Sequence, residues 1–410
     1  MAAPARTFGV EAFRDALDAA ATPDRQAAFA RFAETGLPHH KIEAWKYTSL
    51  VHLARTGFQS APANYDLAGD LPERMEGAAR AVFVNGRYVP GLSDTSVTGF
   101  ASAHAAGLTL DVGDTTDDDP MLALAVALGQ DGAVLDLDDG AVIELLYVTA
   151  PGKAPQMAHS QNRIRVSAGK SATVVERHIV MGEGEATLSN GATQIDLGEG
   201  ATLTHVKLQN EAGDANHVWH HLAAIPANAR YDNFVVTVGS GLGRNRITAN
   251  LTGEGAHCTL DGAYAGRGKQ HLDHTSKIVH AVADTTSRQV YKGVLDDRAR
   301  GVFQGHIVVA QDAQRTDGHQ LNRALMLSDT AEIDSKPMLE IYADDVKCSH
   351  GATAGDLDDN QLFYLQSRGI PLAEARRLLV EAFLAETIDA IPFEPARAAA
   401  LALVQEHLAR

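Results

Sequence analysis

The sequence predicts a mainly β protein, in which a two-sheet β-helix core is flanked by helical regions at both ends. Two observations predict this fold. From about residue 136, short runs rich in Val, Ile and Thr alternate with single small or polar turn residues. Those turn residues recur about every 28 positions, and a repeat of that length is typical of a solenoid.

Two interleaved series of turn residues share this period. The first series comprises Gly200, Asn228, Gly255, Asp284 and Asp312. The second series, offset by about half a coil, comprises Gly213, Gly241, Gly268 and Asp297. Two series with one period predict a flattened coil with two strands per lap, each lap stacking on the next. A large antiparallel sandwich also has short strands at regular spacing, so it stays open as the alternative fold.

The chain divides into three predicted regions by pattern. These are a helical and mixed region over 1–135, a β-helix core over 136–345 and a helical domain over 346–410. In the first region Thr22 can cap a helix, the Asn85-Gly86 pair predicts a hairpin, and Asp119 opens a short helix. In the last region Asp358 caps a predicted helix and Pro371 opens another.

The charge balance argues against nucleic acid as a partner. Lys and Arg total 35 against 52 for Asp and Glu, which gives a net charge of −17. A chain that tracks phosphates needs the opposite surface charge.

The cysteine count and the N-terminus predict a cytoplasmic protein. Cys258 and Cys348 are too few for the disulfide framework of a secreted domain. Glu11 and Arg14 interrupt the start of the chain before a signal-peptide core can form. No run approaches 18 apolar residues, so we also expect no membrane association.

Cys348 and His350 are the candidate ligands of a metal or cofactor. They lie two apart in a strand-like run, so both side chains are expected on one face of the strand, about 6–7 Å apart. Thiolate and imidazole both bind iron in iron-sulfur clusters. Two ligands are too few for a closed site, so further ligands must come from this chain or from a second subunit. Two alternatives remain open: Cys348 packs as a small apolar side chain while His350 caps a turn, or Cys348 is a nucleophile with His350 as its base.

The remaining histidines and a glycine-rich turn carry no assigned chemistry. Six histidines could form polar ladders at coil turns, and we assign them no metal role: His257, His271, His274, His280, His306 and His319. Cys258 is predicted to fill the core. The Gly266–Lys269 run departs from a phosphate-binding loop, because Ala263 and Gln270 occupy two of the positions that the Walker pattern requires. We therefore expect no ATP site in this chain.

Four segments resemble one protein family. The runs Asp345–Thr353 and Gln361–Ile370 closely resemble the C-terminal signature shared by the SufB and SufD iron-sulfur cluster scaffold proteins. Pro38–Thr48 and Glu381–Phe383 look like the SufD branch. The resemblance implies a right-handed β-helix and a non-catalytic scaffold that pairs with a SufB-type subunit through the β-helix ends.

The resemblance also implies roles for individual residues. Cys348 and His350 fall on positions associated with the scaffold interface and a transient iron-sulfur cluster, His350 being the better candidate. Phe363, Tyr364 and Arg368 lie where a SufC-type ATPase would dock, and ATPase activity would belong to that partner. Some family complexes are associated with reduced flavin, but no residue here indicates it.

Three other interpretations remain open at this point. The chain is a SufB-like paralogue, or a scaffold that pairs with itself, or a β-helix enzyme acting on acidic polysaccharide. The last is disfavoured, because no export signal is found and the signature residues lie at the end of the coil.

Overall fold

The computed structural model describes residues 9–17, 21–95, 99–110, 119–211 and 213–409. Sheet one contains β1 (Gln59–Ser60), β4 (Phe100–Ser102), β5 (Ala133–Leu137), β7 (Gln156–Val166), β9 (Thr187–Leu197), β11 (Ala215–Ile225), β13 (Leu242–Leu251), β15 (His271–His280), β17 (Arg300–Val309) and β19 (Glu332–Ile341). Sheet two contains β2 (Ala79–Val84), β3 (Arg87–Tyr88), β6 (Ala141–Thr149), β8 (Ser171–Val180), β10 (Thr202–Asn210), β12 (Arg230–Thr237), β14 (His257–Gly266), β16 (Thr286–Leu295), β18 (Thr316–Met326) and β20 (Val346–Gly355). The helices are α1 (Val10–Arg14), α2 (Pro23–Thr35), α3 (Pro120–Leu128), α4 (Asp359–Ser367), α5 (Leu372–Ile388) and α6 (Glu394–Ala409).

From β5 onward the chain alternates between the two sheets, and each strand pairs in parallel with the strand two positions later. This arrangement is a two-sheet β-solenoid, so the fold prediction is confirmed. The antiparallel sandwich is wrong, because a sandwich of hairpins would pair consecutive strands with opposite directions. Across the described residues, no helix is both long and apolar enough to span a membrane.

The predicted turn residues occupy left-handed backbone at seven of nine positions, for example Asn228 with φ 56° and Gly255 with φ 74°. Gly, Asn and Asp tolerate this conformation best, which is why the period was visible in the sequence. At the other two turns the left-handed residue is Ser240 in place of Gly241, and Arg315 in place of Asp312. Neither Ser nor Arg is a usual turn signal, so the sequence misplaced these two turns.

The sheets extend beyond the 136–345 range that the sequence predicts for the β-helix core. Sheet two begins with β2, and the Asn85-Gly86 hairpin joins β2 to β3 as predicted. At the other end β20 continues the sheet to Gly355, inside the region predicted as helical. Its sequence shows no apolar alternation, because the last strand of the stack is covered by no further coil.

Helices cover the outer face of each sheet. On sheet one, α2 and α3 pack with Trp45 and neighbouring apolar side chains. On sheet two, α5 and α6 bury residues such as Val380 and Leu384 against outward-facing valines and alanines. The predicted caps form: Thr22, Asp119 and Asp358 each accept a backbone hydrogen bond at the start of a helix. The result is a four-layer protein with two sheets between two sets of helices.

Candidate functional site

The two ends of the solenoid differ in how their sheet edges are finished. At the N-terminal end, the short antiparallel strands β3 and β4 close the sheets. At the C-terminal end, the ten-residue strands β19 and β20 are the edges, and no residue of either is buried. Proteins usually blunt or cover long edges, because unpaired backbone groups there pair with other chains. We call the surface formed by β19 and β20 the open end.

Cys348 and His350 lie in the middle of β20, and both belong to inward-facing columns of sheet two. The column that ends at Cys348 consists of Leu203, Tyr231, Cys258, Ser287, Gly318 and Cys348. The column that ends at His350 consists of His205, Asn233, Leu260, Gln289, Gln320 and His350. Cys258 is fully buried in the core, as predicted. The two candidate ligands therefore belong to interior columns, but no further coil covers them because the stack ends at β20.

Cys348 is half-buried and packs against a buried apolar cluster that includes Ile307 and Val309. Burial raises the pKa of its thiol above the ordinary value, and the backbone N–H of Gly318 works against that rise. A raised pKa keeps the thiol protonated near neutral pH, which disfavours an unassisted nucleophile.

His350 is exposed, and within the described part of the chain its side chain makes no hydrogen bond or ion pair. It makes no hydrogen bond with Cys348, which the nucleophile–base alternative would require. The neighbouring exposed histidine, His319, differs: it lies on the outer face and bonds Ser349 at 2.6 Å and Asp317 at 2.6 Å. His350 is thus an imidazole available to a group outside this chain.

The residues predicted to meet an ATPase lie on or next to α4. Phe363 is 73% exposed and Tyr364 is 56% exposed, which is unusual for large aromatic side chains. The Arg368 guanidinium lies 5.1 Å from the Tyr364 ring centre. Leu362, on the opposite side of the helix, is buried. Helix α4 therefore presents an aromatic surface while it packs on α5.

A cluster of buried polar residues inside the solenoid was not predicted. Glu176 on β8, His205 on β10 and His221 on β11 place their ligand atoms within 4.8 Å of one another. The six histidines that the sequence singled out lie elsewhere. The sequence did carry one signal: charged residues and histidines recur at alternate positions along β8, β10 and β11. Only the stacking register of these strands brings three of those residues together.

The buried histidines predict a loss of stability in acid. Burial lowers the pKa of His274 to about 4, from 6.5. Between pH 6.5 and 4 the unfolded chain binds a proton there that the folded chain does not, so stability falls as pH falls through this range. At pH 5.5 this residue alone costs about 1 kcal/mol.

Urea denaturation at pH 7.5 and 5.5 checks this prediction. His274→Gln, which cannot titrate, should lose about 1 kcal/mol less than the original protein over the same pH change. An equal loss in both proteins would contradict the assignment.

The N-terminal segment that resembles the SufD branch holds the outer helices against sheet one through buried side-chain contacts. The Trp45 indole N–H donates to Asp119 at 3.2 Å, and the Arg244 guanidinium lies 4.0 Å from the Trp45 ring centre. Arg244 also pairs with Asp273, which accepts a hydrogen bond from Thr48. All five side chains are fully or almost fully buried. In this structure, the segment is a docking element for the N-terminal region.

The fold and the open end define a class: a β-solenoid with a candidate ligand pair on an uncovered sheet edge. Comparison with known proteins identifies the family. Residues 147–383 match the family model described as SUF system FeS cluster assembly, SufBD core domain. The chain belongs to the SufB/SufD family of iron-sulfur cluster assembly proteins, as a SufD-type member.

Its relatives support this assignment along most of the chain. It is 32% identical to the iron-sulfur cluster assembly protein SufD of Escherichia coli over 403 residues, covering 94% of this chain and 93% of that protein. It is 31% identical to a SufBD family protein of Synechocystis, over 90% of this chain and 87% of the relative. The SufD of Bacillus subtilis is 29% identical over 68% of this chain and 64% of its own length. The polysaccharide-enzyme interpretation is therefore abandoned.

Proposed function

We propose that this chain is a non-catalytic scaffold subunit that pairs with a SufB-type partner through its open end and carries a SufC-type ATPase on its C-terminal helices. A nascent iron-sulfur cluster is then built at the subunit interface, with His350 as a ligand and Cys348 in a supporting part. The assembly takes place in the cytoplasm, where the two free cysteines stay reduced.

The open end is the structural feature that best supports this proposal. Two edge strands of ten residues each leave a row of backbone donors and acceptors about 33 Å long on each sheet. Ile341 and Tyr342, which are 39% and 60% exposed, add apolar surface to the same end. A second solenoid can continue both sheets by strand addition, which supplies main-chain hydrogen bonds along the whole edge.

The ligand count supports a shared site. Clusters are usually held by four protein ligands. The open end offers the pair Cys348 and His350, and within the described residues no other thiol lies near it, since Cys258 is in the core. The partner subunit must provide the remaining ligands, so the cluster can form only where the two subunits meet.

The C-terminal helices connect the ATPase surface to sheet two. Helix α5 packs on β14 and β16, and α4 packs on α5. Lys292 of β16 pairs with Glu386 of α5, and its ammonium lies 4.8 Å from the Phe383 ring centre. When the ATPase closes on ATP, these contacts transmit its motion to the sheet that ends in β20. Opening of the interface then exposes the ligands for delivery of iron and sulfur.

Coexpression with SufB-type and SufC-type proteins tests the proposal. Native mass measurement should find all three chains in one complex, and anaerobic reconstitution should yield a cluster absorption spectrum on that complex. A stable dimer of this chain alone, unchanged when the partners are present, would instead support the self-pairing scaffold. Absence of both the complex and the cluster would contradict the proposed function.

A substitution on α4 is predicted to separate ATPase docking from scaffold pairing. Phe363→Asp places a charge in the exposed aromatic surface, and loss of a central aromatic contact costs about 2–4 kcal/mol, or about 30- to 1000-fold in affinity. Binding of the ATPase to the purified protein, measured by calorimetry, should weaken by that factor.

Tyr65→Asp is the matched control, because Tyr65 is also an exposed aromatic residue and precedes the solenoid. It should bind the ATPase as the original protein does. Equal affinity for Phe363→Asp would place the docking surface elsewhere.

A further inference from the structure

The cluster of Glu176, His205 and His221 has the composition and spacing of a metal site. Glu176 and His205 come from neighbouring strands of sheet two, and His221 reaches them from the facing strand of sheet one. All three side chains are fully buried. Two imidazoles and one carboxylate form a donor set that suits zinc and ferrous iron.

Two distances inside the cluster are close to those between ligands that share one ion, and all three ligand atoms lie within 4.8 Å of one another. The Nε2 atom of His205 lies 3.3 Å from Oε1 of Glu176, and the Nε2 atom of His221 lies 3.5 Å from Oε2. Ligand atoms bonded at 2.0–2.1 Å in a tetrahedron are about 3.3–3.4 Å apart. The two rings stand nearly perpendicular, at 86°, so they approach the carboxylate from different directions.

The hydrogen bonding of the two imidazoles is incomplete without a further group. Neither ring nitrogen of His221 has a hydrogen-bond partner, although the residue is fully buried, and Nε2 of His205 also lacks one. Both ring nitrogens of the buried His274 also lack a partner, but the unsatisfied Nε2 atoms of His205 and His221 differ in that both lie within 3.5 Å of one carboxylate, where a shared ion would complete their coordination.

Surrounding residues hold the ligands in place, as they do in known metal sites. The Nδ1 atom of His205 lies 3.1 Å from the Tyr231 hydroxyl, which orients Nε2 toward Glu176. The Thr193 hydroxyl donates to Oε1 of Glu176 at 3.3 Å, and His178 approaches Oε2 at 3.2 Å. The nearby Lys207 amine lies 2.8 Å from Nε2 of His217, and burial lowers its pKa to about 7 although the Glu176 charge opposes that shift.

We propose that Glu176, His205 and His221 bind one divalent transition metal ion, zinc or ferrous iron, inside the solenoid. The site is separate from the open end: four strand positions lie between His205 and His350 in their shared column. It stabilises the stack where β8, β10 and β11 meet. Because the cluster is enclosed, the ion enters as the coils form during folding.

Metal analysis of the full-length protein tests this site. The chain is expressed in medium supplemented with zinc or cobalt and then dialysed against a chelator to remove surface metal. We expect about one retained ion per chain, with cobalt giving visible bands of a four- or five-coordinate site. X-ray absorption of the zinc form should show nitrogen and oxygen ligands only. No retained ion, or a sulfur ligand, would overturn the proposal.

Variants assign the ion to the cluster. His221→Gln removes one ligand and should weaken retention at least about tenfold, and Glu176→Gln should do the same. Circular dichroism checks that each variant is folded. If a variant does not fold, X-ray absorption of the unsubstituted protein still tests the proposed ligands.

His274→Gln is the matched control, since His274 is another buried interior histidine. It should keep the ion. The double variant Cys348→Ser, His350→Ala should also keep it, so that a failed cluster assembly and a failed interior site are told apart. Equal metal in His221→Gln and in the unsubstituted protein would overturn the assignment.

Discussion

Replacing His350 with alanine is expected to abolish cluster formation on the complex with SufB-type and SufC-type partners, while complex assembly and ATPase activity stay unchanged. The side chain is exposed at the open end and makes no hydrogen bond within the described chain, so its removal disturbs no packing. Loss of one ligand from a shared site leaves the iron incompletely coordinated. Absorption, iron and sulfide content after anaerobic reconstitution measure the effect.

His319→Ala is the matched control for this prediction. His319 lies on β18, next to β20, and is likewise exposed, but it faces outward and is bonded within the chain. It should form clusters normally, and Cys348→Ser should form them at a reduced yield. A normal yield from His350→Ala would exclude His350 as a ligand.

Replacing Asp119 with alanine is expected to destabilise the protein by about 3–5 kcal/mol, because it breaks a buried ion network. The Asp119 carboxylate accepts from Arg246 at 2.6 Å, lies 3.1 Å from His220, and bonds the Trp45 indole. Burial by itself would raise the pKa of Asp119, but His220, Arg246 and Arg244 outweigh it and hold that pKa below the ordinary value. The alanine variant removes this shared buried carboxylate from Arg246, His220 and Trp45.

Urea denaturation followed by tryptophan fluorescence measures this loss, since Trp45 is a partner of Asp119. The control is Asp136→Ala, which removes a surface ion pair with Arg165 and should cost at most about 1 kcal/mol. A loss for Asp119→Ala as small as that of the control would show that the network does not hold the N-terminal helices to sheet one.

The sequence predicted those parts of the fold that rest on local rules. The Asn85-Gly86 hairpin, the caps at Thr22, Asp119 and Asp358, and most coil turns follow from the backbone preferences of single residues. It failed at Ser240 and Arg315, where the surrounding coils impose left-handed backbone on residues with little preference for it. It also ended the core before β20, because a strand at the end of a stack has no apolar alternation to recognise.

For the candidate sites too, the sequence predicted some features and the tertiary structure decided the others. Spacing by two residues placed Cys348 and His350 on one strand face, and the family resemblance marked them. Only the tertiary structure decided that they lie at an uncovered end, and that Glu176, His205 and His221 meet in the interior. The sequence by itself determined the class of fold, the family and the pair on β20. The stacking register of distant coils decided the rest, because residues about 30 positions apart become neighbours only when the laps align.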